Sequence, residues 1–143
     1  MTNIAQLKEK VKGILVSWNG SVTEDAAGRF TIPYESTQVF VGVLDFRDMP
    51  VVQMFAPVAL GIEISEQLAL RALSKETGFF GEWEVWDYDE ATNKGTLMIA
   101  QVLLGEKLDD IELKLSLAFV VNAANNATKW VVPEFGGVTF KDA

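Results

Sequence analysis

TQVFVGVLDFRDMPVVQMFAPVAL, residues 37 to 60, decides how this chain folds. Two runs rich in β-branched and aromatic side chains, TQVFVGVLDF and VVQMFAPVAL, flank the break Arg47-Asp48-Met49-Pro50. Val39, Val41 and Val43 recur at every second position of the first run, the period of an extended strand, and Asp45 continues the same face. A third run, RFTIPYE, precedes them across Glu35-Ser36. Three consecutive antiparallel strands account for this pattern. Pro33 lacks the amide hydrogen that a central strand donates, so the first strand is expected at a sheet edge or to end there, and Pro57 makes a weaker statement of the same kind about the third. Met49 to Ile62 is the longest strongly apolar run without a charge, and its Pro50, Pro57 and Gly61 suit a strand rather than a membrane helix.

Helical patterns lie on either side of the strands. Ile4, Leu7, Val11, Ile14, Leu15 and Trp18 fall at steps of three and four with Lys8, Glu9, Lys10 and Lys12 between them, which predicts an amphipathic helix. Asn3 with Gln6 has capping-box character, and Asn19-Gly20 has the composition of a left-handed helix end. ISEQLALRALSKETGFF predicts a second helix, capped by Ser65, closed by Gly78 and buried along Leu68, Ala69, Ala72 and Leu73. EWEVWDYD and GTLMIAQVLLG return to strands around a turn at Asn93, Lys94 and Gly95. In DDIELKLSLAFVVNAANNATKW both periods coexist, and its length and leading aspartates favour a helix. The order is helix, three-stranded antiparallel meander, helix, β-hairpin, helix: an α+β fold in a single domain spanning residues 1–143.

Composition narrows function. The 143 residues hold 12 basic and 20 acidic side chains, a formal charge of −8 that repels phosphate backbones and anionic membrane surfaces, so no nucleic-acid or membrane partner is expected. There is no cysteine and no histidine, which removes disulfides, thiolate metal sites, cysteine nucleophiles and the commonest general base near neutral pH. The N-terminal stretch carries charges where a signal peptide needs an unbroken apolar segment, so a cytoplasmic location is expected.

The acid-rich hairpin GEWEVWDYDEATNKGTLMI, residues 81 to 99, invites a catalytic or metal reading. Strand geometry puts Glu82 and Glu84 on one side with Trp86 and Tyr88, and Trp83 and Val85 on the other with Asp87 and Asp89. The carboxylates therefore do not converge as a glycosidase pair. A calcium loop counted from Asp87 fails at Thr92, where glycine is needed, and at Met98, where a bidentate glutamate belongs. Asp45, among valines, is the remaining candidate base, but the turn Phe46-Arg47-Asp48 brings water and a cation to it. Gly136-Gly137 follow a helix rather than precede one, which suits a chain-reversing cap and not a phosphate loop. No catalytic, cofactor-binding or metal-ligating residue is assigned. Met54, Phe55, Phe79, Phe80, Trp83, Trp86 and Trp130 exceed what the core is expected to absorb, which points to an exposed apolar groove.

The strand pair TQVFVGVLDF and VVQMFAPVAL, the segment LALRALSKETGFFGEWEVWD and a last helix running into Phe135-Gly136-Gly137 carry a resemblance, over nearly the whole chain, to the type III secretion chaperone fold, and within it to YbjN-type proteins described as sensory transduction regulators or peptide-binding chaperones. Pro133 departs from that pattern and is expected to break or kink the last helix near Val132. The resemblance implies a non-enzymatic homodimer that binds peptide or protein segments of a client through apolar grooves. Met54, Phe55, Phe79, Phe80, Trp83 and Trp86 are the candidate partner-binding residues. Burying roughly 500 Å² of apolar surface at about 25 cal/mol per Å² yields on the order of 12 kcal/mol, enough for micromolar binding after ordering costs. The alternative is a small-molecule-binding α+β cone protein, an isomerase or lyase with Asp45 as base and Tyr34 or a tryptophan as wall.

Overall fold

A computed structural model describes residues 3–74 and 82–143. Helix α1 (Ile4–Trp18) is followed by strands β1 (Thr23–Glu24), β2 (Phe30–Tyr34), β3 (Thr37–Phe46) and β4 (Met49–Glu63), then α2 (Glu66–Ser74), β5 (Glu82–Asp89), β6 (Lys94–Leu104) and α3 (Asp110–Phe135). The strands form one antiparallel sheet in the order β1-β2-β3-β4-β6-β5. The expected element order holds, with β1 added and the later hairpin placed so that β6 lies against β4.

Local chemistry sets the boundaries. Asn3 accepts from the Gln6 amide at 2.8 Å and Gln6 answers through its side chain, a complete capping box. The Ser65 hydroxyl accepts from Leu68 N at 3.1 Å, and Asp109 accepts from Glu112 N at 2.7 Å to open α3. Phe46 pairs with Met49 across Arg47 and Asp48, whose φ angles of 51° and 65° give the two-residue turn that matches strand twist.

Four expectations are corrected. Helix α1 does not end in a left-handed turn: Asn19 is extended at φ −154°, its N–H closes on Leu15 O and its side chain accepts from Ser21 N. Ala69 and Leu73 are exposed, since only Leu68 and Ala72 of α2 reach the core, while Gly78 lies outside the described residues. Alternation in β5 fails at Asp87, whose φ of 54° accompanies a register shift before Asp89, so Tyr88 does not simply continue the Trp86 face. Pro133 does not stop α3: the helix runs on to Phe135 and straight into Gly136, whose N–H closes on Val132 O across the proline.

The prolines mark two different situations. Pro33 is exposed beyond Phe30 and Thr31, the residues that β1 covers, so its missing donor faces an open edge as expected. Pro57, by contrast, is buried in the central strand β4 at a bulge between Pro57 and Ala59. Side chains replace the interrupted ladder there, for the Thr37 hydroxyl donates to Pro57 O at 2.6 Å and the Thr128 hydroxyl to Val58 O at 2.7 Å.

Both long helices cover the same sheet face. Val39, Val41, Val52, Met54, Leu97 and Ile99 meet Leu7, Val11, Leu15, Leu113, Leu117 and Val121 in the main core. Gly136 and Gly137, at φ 92° and 79°, then turn the chain so that Leu60 and Val138 exchange N–H···O bonds of 2.8 and 3.0 Å. A Cβ on Gly137 would approach Leu60 O to 2.9 Å, so only glycine fits.

Candidate peptide-binding face

Strand periodicity sends the alternate residues of β3, β4 and β6 to the face that α1 and α3 leave uncovered. Register aligns them in rows: Phe46 with Met49; Leu44 with Val51 and Leu104; Gly42 with Gln53 and Val102; Phe40 with Phe55 and Ala100. The last row is sealed. Phe55 stacks on Phe40 at 5.1 Å between centroids and meets Trp86 at a 35° tilt at 4.4 Å, and Phe140 meets Phe40 edge-on at 5.8 Å. The Arg29 guanidinium lies 5.4 Å from Phe40 and 5.6 Å from Phe55, held by Asp25 at 3.0 Å. Hydrogen bonds from Arg29 N, from its side chain and from Ala27 N lower the Asp25 pKa, led by the Arg29 amide.

The rows nearer the β3–β4 turn are not sealed. Leu104 is 62% exposed, Phe46 55%, Val102 51% and Leu44 47%. They edge an open hollow of about 370 Å³ lined by Leu44, Asp45, Phe46, Val51, Gln53 and Val102, and Met49, Leu104, Asp48 and Glu106 line a second hollow beside it. A second apolar region sits at the opposite end of the molecule, where α2 meets the hairpin. There Leu68, Ala72, Leu73, Trp83, Val85 and Leu97 line a hollow of about 160 Å³. Arg71 braces that end through both nitrogens on Glu134, at 2.7 and 3.2 Å, and lies 5.3 Å above Trp130.

The six residues singled out by sequence separate. Met54 is wholly buried among the helices and is corrected to a core residue: it stands one position out of step with the open face. Phe55 and Trp86 lie on the open face, where Phe55 is buried beneath its aromatic neighbours. Trp83 turns to the helix side, 6.1 Å from Trp130, and borders the α2 hollow. Phe79 and Phe80 lie outside the described residues. The exposed aliphatic strip of Leu44, Val102 and Leu104 was missed by a reading that ranked aromatic bulk above position; the near-continuous apolar run TLMIAQVLL was its signal, because both faces of that strand are apolar while helices cover one.

Acidic groups do not assemble into a reactive centre. Asp45 is exposed at the end of β3, opposite Pro50, and Tyr34 donates to Asn122 Oδ1 at 2.7 Å on a different part of the surface, so the two do not form one site. Glu84 accepts from the Trp86 indole at 3.0 Å. Among the described residues no three acidic side chains group to hold a metal ion, and no helix is long and apolar enough to cross a membrane.

Known structures share this architecture. The ExsC–ExsE complex matches at a TM-score of 0.60 with 22% identity, over 87% of this chain and 95% of that one. The HopA1–SchA chaperone–effector complex matches at 0.55 with 15% identity, over 90% and 99%. The complex of the Yersinia pestis type III secretion chaperone SycH with a stable fragment of YscM2 matches at 0.55 with 12% identity, over 87% and 99%. At these identities the likeness is one of fold. The comparison with curated proteins gives no match. A family model fits residues 5–143, from the first turn of α1 to the last residue, and this chain accordingly belongs to the T3SS (YopN, CesT) and YbjN peptide-binding chaperone 1 family.

Proposed function

We propose that this protein is a non-enzymatic, cytoplasmic chaperone-like module that holds an apolar segment of another polypeptide and works as a homodimer. The observation that carries the reading is the half-covered sheet: helices seal one face, and the other retains exposed Leu44, Phe46, Val102 and Leu104 within a chain of charge −8. A soluble protein keeps contiguous apolar surface of this kind for a partner. Membership of a peptide-binding chaperone family supports the same reading, as does the likeness in fold to a chain of the HopA1–SchA chaperone–effector complex.

The second copy has its own surface in this proposal. Helix α2 presents Leu70, 60% exposed, and Leu73, 79% exposed, at the end of the molecule away from the strip. Self-association through α2 leaves the open sheet face free for a client. Phe55 and Trp86 floor that face, and Trp83 supports the α2 end.

Titration of the protein into labelled, unstructured peptides, followed by fluorescence anisotropy, tests the reading. Saturable binding in the micromolar range by apolar peptides is expected. Absence of binding across a panel varied in charge and apolar content contradicts it.

A further inference from the structure

We infer that the strip at the β3–β4 turn end of the open face seats a client segment in which apolar side chains are flanked by lysine or arginine. The inference rests on the peptide-binding reading above and specifies its ligand. The seat is three strands wide and built on the sheet, with Leu44, Val51 and Leu104 in one row and Val102 in the next. Same-face neighbours on a strand stand about 6.8 Å apart, the distance separating alternate side chains of an extended peptide, so two client apolar groups can rest on Leu104 and Val102 together. Gln53, beside Val102 in register, offers an amide donor and acceptor to a client backbone.

Charge selects among occupants. Among the described residues the charged ones that line the two hollows are Asp45, Asp48 and Glu106, none of them basic; Asp45 is out of strand phase with Leu44 and Phe46, so Asp48 and Glu106 are the acids of this rim. Two cations neighbour the rim: Arg47, which lies 5.5 Å over the ring of its own neighbour Phe46, and Lys107, which follows Glu106 in the chain. A second copy docked here about a two-fold axis would bring Asp48 and Glu106 in from both sides, a like-charge contact that disfavours self-association at this seat. A segment carrying basic residues beside its apolar ones gains from both features of the rim. Its attraction is screened by salt, while the apolar contact is not.

Three labelled peptides of one apolar core, flanked by lysines, by glutamates or by glutamines, test this by anisotropy at low and high salt. The lysine form is expected to bind about tenfold or more tighter than the glutamate form at low salt, with the gap narrowing as salt rises. Leu104→Glu, and separately Val102→Thr, are expected to weaken the lysine form, and Asp48→Asn with Glu106→Gln to erase the preference for it. Both apolar positions are exposed, so an unchanged urea midpoint verifies folding, and the threonine variant keeps the strand even where the glutamate does not. Equal binding of all three peptides, or indifference to both apolar variants while binding persists, overturns this inference and leaves the peptide-binding reading standing. Failure of every peptide to bind overturns that reading too. Sedimentation showing a dimer that Leu104→Glu dissociates assigns the strip to self-association and overturns the inference.

Discussion

Leu104 of β6 stands opposite Val51 of β4, and the two share a row with Leu44 on the sheet face that α1 and α3 leave uncovered. Val51 is 7% exposed and Leu104 62%, so this row runs from a packed floor to an open rim. The main core lies on the other side of the same strands. The residues that hold the fold together and those proposed to hold a client therefore lie on opposite faces of the sheet.

Thr37 is buried and spans the gap in the ladder at Pro57. Thr37→Val keeps the shape but leaves the Pro57 carbonyl without its donor, at a cost of about 1–3 kcal/mol. Urea unfolding is expected to show a lower midpoint with an unchanged slope. An unaltered midpoint would mean that water replaces the hydroxyl.

Gly137→Ala combines a φ of 79° with a contact of 2.9 Å to Leu60 O. Its expected cost is about 1–3 kcal/mol, concentrated in the bridge between Leu60 and Val138. Amide exchange should report early loss of protection at Leu60 and Val138, and equal protection would refute the local account.

Asp25 has a folded pKa below its ordinary value because Arg29 and Ala27 donate to its carboxylate. A depressed acid contributes stability above its unfolded pKa and loses it as pH falls through the folded one. Wild type should thus lose more stability than Asp25→Asn as pH falls below about 5, through the unfolded and then the depressed native pKa. Parallel pH profiles for the two proteins would contradict the assignment.

Leu73→Glu on α2 is expected to shift the protein toward monomer in sedimentation while leaving the unfolding free energy of the monomer itself within about 0.5 kcal/mol of wild type, because that side chain is exposed. A dimer that withstands the change places its interface elsewhere.

Much of this architecture was legible from side-chain period. Alternation in TQVFVGVLDF and the three-four spacing from Ile4 to Trp18 each specify an element because local geometry and burial agree there. Pro57 was read as an edge signal because a proline removes a ladder donor; the compensating hydroxyls come from Thr37 and Thr128, 20 and 70 residues from the carbonyls they reach, and no local pattern encodes that. Met54 and Phe55 look alike as candidates, yet one residue of strand phase sends the first into the core and the second to the open face. Which end of that face stays uncovered depends on where Phe140, Trp86 and Arg29 settle, a tertiary outcome.

The most direct measurement is a methyl-resolved NMR titration of the protein with a lysine-flanked apolar peptide. Saturable shifts are expected at the methyls of Leu44, Val51, Val102 and Leu104, with Leu113 and Leu117 on the helix side unmoved. Shifts confined to the helix side, or none at the strip while the peptide binds, would contradict the account.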